Sequence, residues 1–173
     1  MKKIVFTIIV FFLSLFNITN AEQNIAFIDM NKIIETSIPG ASLVKQLNIL
    51  NKKNLIYFEK EEKKIKDNEV KIVNQKNIIS DKEFKTNIDK LKLEINDYKN
   101  DINKITNDFN KMKVNNTNSL LKSINPILVK FSNDKFISII LQKKNLVIGK
   151  TELDITDQII EIINKEIKEF KIK

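Results

Sequence analysis

Paired carboxylates are the groups in this sequence whose spacing could support acid and base chemistry. Glu61 stands next to Glu62, and Asp97 lies one helical turn before Asp101. Both pairs fall in long polar stretches that offer no apolar pocket to shift a pKa. The chain contains 0 Cys and 0 His, which excludes thiolate and imidazole nucleophiles and the zinc sites built on those ligands. We therefore expect no enzyme, no catalytic residue and no metal site.

Glycine and proline are scarce in this chain of 173 residues. Gly40 and Gly149 are isolated and form no phosphate-binding loop, so neither a nucleotide nor another cofactor is expected. With 2 Gly and 2 Pro there are also few places where the chain can turn sharply, which predicts long elements.

A regular apolar seam marks the stretch "FKTNIDKLKLEINDYKNDINKITNDFNKM", residues 84–112. Steps of four and three are the a and d positions of a heptad repeat, so the stretch predicts a helix that needs a helical partner. The seam residues are Phe84, Ile88, Leu91, Ile95, Tyr98, Ile102, Ile105, Phe109 and Met112.

The preceding stretch, residues 41–79, is the nearest candidate partner. It carries an apolar residue every seven positions, opposite a second row that is polar. Ser80 and Glu83 have the spacing of a capping box, which predicts a second helix start after a short connection. The two stretches therefore predict an antiparallel coiled-coil hairpin, an arm spanning residues 41–119. The apolar row is Phe58, Ile65, Ile72 and Ile79, and the polar row is Asn54, Glu61, Asn68 and Gln75.

Residues 22–40 and 120–173 predict a small α+β body from which the arm projects. "NIAFIDM", residues 24–30, is typical of a buried strand, and Pro39 with Gly40 predicts a break after it. Two β-rich runs, 136–141 and 146–148, predict a hairpin that pairs with the first strand.

Two helices complete the predicted body. Leu120 to Phe131 continues a helix in which Pro126 either follows a fresh start capped by Ser123 or introduces a kink. Asp154 is the predicted cap of a terminal amphipathic helix. Its apolar face comprises Ile155, Ile159, Ile162, Ile163 and Phe170.

The first 21 residues have the pattern of a secretory signal peptide. Lys2 and Lys3 precede an apolar run from Ile4 to Phe16, and Ala21 provides a small residue for cleavage. We expect an exported protein that starts at Glu22. The formal net charge of the whole chain is +8, which favours anionic membrane surfaces or acidic unfolded chains as partners rather than nucleic acid.

The sequence resembles the Skp/OmpH family of periplasmic chaperones over residues 22–170. The resemblance is carried by "IAFIDMNKIIETSIPG", by "INPILVKFSNDKFISIIL" and by "LDITDQIIEIINK" after a short strand. It implies a homotrimer with a central body and three helical hairpins around a cavity. It also implies that unfolded outer-membrane proteins are held in that cavity without ATP.

Two residue sets follow as candidate sites. Near the arm tip, apolar side chains flanked by Lys predict a client surface comprising Ile72, Ile78, Ile79, Phe84, Lys71, Lys76 and Lys82. Alternation along the strands predicts one apolar side, which faces either another subunit or the subunit's own helix. As an oligomerisation surface it would comprise Ile25, Phe27, Ile137, Ile139, Leu146 and Ile148.

Two other functions are compatible with the same pattern. A structural coiled-coil scaffold or spacer of the cell envelope would use the same helices without affinity for unfolded chains. A peripheral membrane protein would use its Lys residues to bind anionic lipid and would lose that binding in salt.

Overall fold

The computed structural model describes residues 24–173, so the predicted signal peptide at residues 1–21 lies outside the described residues. In chain order the elements are β1 (Asn24–Ile28), α1 (Met30–Thr36), α2 (Ile38–Gln75), α3 (Asp81–Asp134), β2 (Ile137–Gln142) and α4 (Thr156–Glu166). Short 3-10 turns at Lys143–Asn145 and Thr151–Leu153 lie between β2 and α4. Within this part of the chain, no helix is both long and apolar enough to cross a membrane.

Side-chain caps define where the long helices begin. The hydroxyl of Ser37 accepts the Gly40 N–H at the start of α2, and the hydroxyl of Ser80 accepts the Glu83 N–H at 3.3 Å at the start of α3. The predicted helix start at Ser80 is therefore confirmed. The predicted break at Pro39 and Gly40 is wrong, because both residues lie in the first turn of α2, where a missing N–H has no cost.

The contact between α1 and α2 depends on Gly40. A Cβ atom on Gly40 would lie 2.2 Å from the carbonyl oxygen of Ile34, which is closer than any side chain can approach. Gly40 is therefore needed for close approach of two backbones, and its φ is not positive.

The sheet consists of two parallel strands. Ile25 of β1 lies opposite Ile139 of β2, and Ile28 lies opposite Gln142. The predicted third strand at 146–148 is wrong, because a 3-10 turn after β2 carries the chain across to β1 instead of back along β2. There Asp154 forms a bridge with Phe27, which occupies the second edge of β1.

Helix α3 runs without interruption for 54 residues, which corresponds to about 80 Å at a rise of about 1.5 Å per residue. Pro126 lies inside it. The Ser123 hydroxyl donates to the Ser119 carbonyl at 3.1 Å, so Ser123 does not cap a new helix. The fresh helix start predicted as one alternative is therefore wrong.

The core of the body brings both ends of the described chain together. The Asp29 N–H donates to the Thr156 hydroxyl at 2.9 Å, and the Thr156 N–H donates to the Asp154 carboxylate at 3.0 Å. Asp154 thus satisfies the first N–H of α4, although Ile155 takes the cap position itself. The buried apolar residues are Ala26, Ile28, Ile33, Leu43, Leu47, Leu120, Ile124, Ile127, Phe131, Ile155, Ile159 and Ile163.

Candidate functional site

The long helices α2 and α3 shield one side of each other over residues 48–115, the part of the predicted arm (residues 41–119) that is called the arm from here on. Every predicted seam residue of α3 is half-buried or buried, and in α2 the alternating apolar and polar rows are shielded from Asn54 to Ile72. The prediction of one shielded seam is confirmed. Along the described arm, Ile72 at 5% and Leu91 at 6% are the apolar side chains with less than a tenth of their surface exposed. The seam is therefore thin.

Polar groups fill much of the space between the two helices. The Tyr57 hydroxyl donates to the Asp101 carboxylate at 3.2 Å, and the Asn68 amide donates to the Glu94 carboxylate at 2.8 Å. These residues line a cleft of about 520 Å³. Exposed polar pairs contribute little to stability, so the helices are joined more weakly here than at the body.

Two tyrosines in the arm have a raised pKa. Partial burial and the hydrogen bond to Asp101 raise the pKa of Tyr57. Partial burial and the nearby Glu62 and Glu61 carboxylates raise the pKa of Tyr98, whose hydroxyl donates to the Phe58 carbonyl at 3.1 Å. Both hydroxyls therefore stay protonated at neutral pH and act as hydrogen-bond donors across the seam.

The predicted client residues differ in accessibility. Ile78 is 80% exposed, Ile79 and Phe84 are half-buried, and the three lysines Lys71, Lys76 and Lys82 are exposed. Ile72 differs from the prediction, because its side chain lies in the seam and offers no accessible surface.

Sequence reasoning missed a set of exposed apolar residues on the two helices of the arm. The sequence does contain a signal for these residues, because they are apolar but lie outside the heptad rows that form the seam. The set comprises residues that are each more than half exposed: Ile49, Leu55, Ile56, Val70, Val73, Leu93 and Val114.

The strand residues predicted for oligomerisation do not share one face. A register shift separates the pair Asn24 and Ile137 from the pair Ile25 and Ile139, so Ser138 is an extra residue in β2. The side-chain alternation changes phase at that point. Consequently Ile137 packs against the core, whereas Ile139 is 47% exposed.

Phe27 is covered by the chain itself. A Cβ atom on Gly149 would lie 2.8 Å from the Phe27 ring, and the Lys143 ammonium is 6.0 Å from the ring centre. Phe27 is 6% exposed, so its side chain packs within its own chain, and its role in oligomerisation stays a prediction. Leu146 is half-buried outside any strand.

An apolar surface of the body remains exposed next to this covered ring. It comprises Ile25, Ile139 and Leu141, which are partly exposed, and Val147 and Ile148, which are almost fully exposed. A groove of about 400 Å³ lies beside it, between β2 and α3, and is lined by Leu121, Leu128 and Ile140 among others.

Comparison with known proteins shows to which family the chain belongs. The family described as outer membrane protein (OmpH-like) matches residues 24–163. The chain belongs to the OmpH-like family. The resemblance inferred from the sequence is thereby confirmed.

A solved OmpH-like protein supports the fold of this OmpH-like chain. The crystal structure of an OmpH-like protein from Caulobacter crescentus CB15 matches it with a TM-score of 0.79. The match covers 87% of this chain and 89% of that chain at 11% sequence identity. At that identity the likeness concerns the fold alone. A search of curated proteins finds no match.

The structure is mostly helical with a small sheet, which is consistent with the OmpH-like fold. The long helices and the two-stranded sheet of this OmpH-like chain fall within the matched stretch. The part of the chain after Ile163 lies beyond the family match.

Proposed function

We propose that this OmpH-like chain is an ATP-independent holdase chaperone of the periplasm that binds unfolded outer-membrane proteins between helical arms. The observation that carries the proposal is the arm itself. It combines a thin, half-polar seam with apolar side chains on both helices that are more than half exposed and lie among exposed lysines. Exposed apolar surface of this kind binds partners. Membership of the OmpH-like family, together with the structural match to a protein described as an outer membrane chaperone, supports unfolded outer-membrane proteins as those partners.

The arm in this proposal is an antiparallel coiled-coil hairpin. Its contacts support that geometry, because Tyr57 meets Asp101 whereas Asn68, further along α2, meets the earlier residue Glu94. A polar seam costs stability and lets the two helices separate or bend locally. An arm of this kind can adapt to clients of different size.

The chain is proposed to assemble as a homotrimer through its body. The two-stranded sheet is small for independent stability, and Ile139, Leu141 and Ile148 leave apolar surface exposed beside it. Association of three copies would cover that surface and place three arms around one cavity. Light scattering coupled to size exclusion should give the mass of three chains.

Client binding in this proposal is non-covalent. Apolar contacts along the arms hold extended client segments, and the lysines attract acidic stretches of the client. We propose no catalytic role and no cofactor for the chain.

The first experiment measures light scattering as a urea-unfolded outer-membrane β-barrel protein is diluted into buffer with purified residues 22–173. We expect suppression of scattering that saturates at one client per three chains. Unchanged aggregation would contradict the proposal and would favour a scaffold or spacer of the envelope, which the continuous 54-residue helix would also serve.

A variant pair tests the arm surface in the same assay. Val70→Ser, Val73→Ser and Ile78→Ser together remove exposed apolar side chains of the arm without touching the seam. The matched control, Ile38→Ser with Phe136→Ser, removes exposed apolar side chains of the body. The arm variant should need several-fold more protein for the same protection, whereas the control should behave like the unaltered chain.

A further inference from the structure

A segment beyond the family match lies in a groove at the base of the arm. Helix α4 ends where the Ile167 N–H donates to the Ile163 carbonyl at 2.8 Å, and residues 167–173 continue without helical structure. The docked segment, residues 167–173, lies between α2 and α3. Its prediction as helix up to Phe170 is wrong, because side chains of α2 and α3 take up its backbone hydrogen bonds. We call the site formed by Ser42, Gln46 and Asn116 the backbone groove.

The α2 side of the backbone groove contacts main-chain atoms. The Gln46 amide nitrogen donates to the Phe170 carbonyl at 2.6 Å, and the Gln46 amide oxygen accepts the Ile172 N–H at 3.3 Å. The Ser42 hydroxyl donates to the same Phe170 carbonyl at 3.0 Å. One glutamine thus pairs with a carbonyl and an N–H two residues apart, as a neighbouring strand would.

On the α3 side of the groove, Asn116 also forms a pair of hydrogen bonds with main-chain atoms, in this case with one residue on the opposite edge of the segment. The Asn116 amide oxygen accepts the Lys173 N–H at 2.9 Å, and the Asn116 amide nitrogen donates to the Lys173 carbonyl at 3.2 Å. Asn116 is 4% exposed. The amide nitrogen also donates to the Met112 carbonyl of its own helix at 2.9 Å, so the amide oxygen is the group that depends on the segment for a partner. Because a buried oxygen without a hydrogen-bond donor is costly, the groove favours an extended chain lying in it.

The groove contacts the side chains of the docked segment less specifically than it contacts the segment's backbone. Phe170 and Ile172 are half-buried against the core, and Lys171 and Lys173 between and after them are exposed. The groove therefore selects an extended backbone with apolar residues at alternate positions, and it sets few limits on sequence. Main-chain pairing of this kind is the way in which sheet edges bind peptides of varied sequence.

We propose that the backbone groove is a binding site for extended segments of unfolded polypeptide, and that the docked segment occupies it as an internal ligand. The identity of the outside ligand rests on the proposed holdase function. A client segment enters when the docked segment leaves. A flexibly tethered ligand has an effective concentration of about 1 mM, so an outside peptide with a Kd of about 0.1 mM binds about tenfold more weakly to the intact chain than to an open groove.

The test uses a variant in which the groove is open and its own residues are unchanged. Phe170→Asp with Ile172→Asp removes the apolar anchors of the docked segment, and circular dichroism melting verifies that the body is folded. The probe is the fluorescein-labelled peptide KEIKEFKIK, residues 165–173, followed by fluorescence anisotropy. We expect about tenfold tighter binding to the open variant than to the intact chain. If the double variant does not fold, Ile172→Asp alone replaces it.

Two matched controls ask whether the peptide is bound through its backbone. In the open variant, Gln46→Leu with Asn116→Leu should abolish peptide binding while the helices stay folded. In the peptide, Ile172→Pro removes an N–H that the groove accepts and should abolish binding. The control peptide with Lys171→Pro should bind, because the Lys171 N–H has no hydrogen-bond partner among residues 24–173.

The outcomes separate this inference from the proposed function. No peptide binding to a folded open variant would overturn the groove even if the intact chain protects clients in light scattering. Peptide binding with no protection of any client would support the groove and refute the holdase function. Displacement of the labelled peptide by a diluted, urea-unfolded β-barrel protein would support both. Failure of that displacement would overturn the assignment of clients as the outside ligand.

Discussion

The polar row of the α2 seam is expected to keep the arm flexible. Asn54, Glu61 and Asn68 are half-buried there, opposite the apolar row of α3. Replacing all three by Leu would add three half-buried apolar side chains. Full burial of Leu contributes about 1.5–3 kcal/mol, so half-burial contributes about 1 kcal/mol each. Loss of the exposed Asn68–Glu94 hydrogen bond and of the exposed Glu61–Lys64 ion pair costs about 0.5 kcal/mol together, which leaves a gain of about 2.5 kcal/mol.

Hydrogen exchange followed by mass spectrometry measures this gain where it arises. If amides of the arm exchange through local opening, a gain of about 2.5 kcal/mol slows their exchange about 60-fold. Peptides from the body should be unaffected and provide the internal reference. The arms of the variant should also suppress aggregation over a narrower range of client sizes.

A control variant has the same composition with the added Leu residues outside the seam. Asn51→Leu, Glu59→Leu and Asn74→Leu change exposed positions of the same helix. Exchange in the arm of this control should change by less than about threefold. Equal exchange in the seam variant and the unaltered chain would refute the reasoning, because the polar row would then not limit arm stability.

Three further predictions concern the body and use urea unfolding as the measurement. Gly40→Ala should cost about 2 kcal/mol, because its Cβ atom would lie 2.2 Å from the Ile34 carbonyl oxygen, and an unchanged midpoint would contradict the close approach. Phe136→Gly should add about 1 kcal/mol, because Phe136 has a φ of 55° and is 83% exposed, and a loss of stability would contradict backbone strain. Burial alone would raise the pKa of Asp154, but hydrogen bonds from Thr156 and Lys143 lower it below its ordinary value of 3.8. Asp154→Asn should therefore cost stability above pH 3.8, and the difference should vanish as pH falls through the lowered pKa; a pH-independent difference would contradict this.

Local periodicity explains which parts of the fold the sequence predicts well. The seam from Phe84 to Met112 and the helix start at Ser80 depend on residues three to seven positions apart, and the structure confirms both. The family resemblance adds the overall layout. The arm surface was predicted partly, since Ile78 is exposed but Ile72 belongs to the seam.

Contacts between distant residues explain the errors. The extra residue Ser138 changes which side of β2 faces the core, and it can be recognised only once the partner strand is known. Phe27 is covered by Gly149, which no local pattern indicates. The backbone groove was missed because Gln46 and Asn116 are ordinary polar helix residues until the docked segment lies between them.

The contact between the residue after β1 and the start of α4 also determines the order in which the chain can fold. The Asp29 N–H finds its Thr156 partner 127 positions later, so the body cannot close until almost the whole chain has been synthesised. The arm depends on neighbouring stretches and can form earlier, since local contacts form faster than distant ones. A chain interrupted before α4 would thus carry finished long helices and a two-stranded sheet whose apolar residues lack the cover of α4.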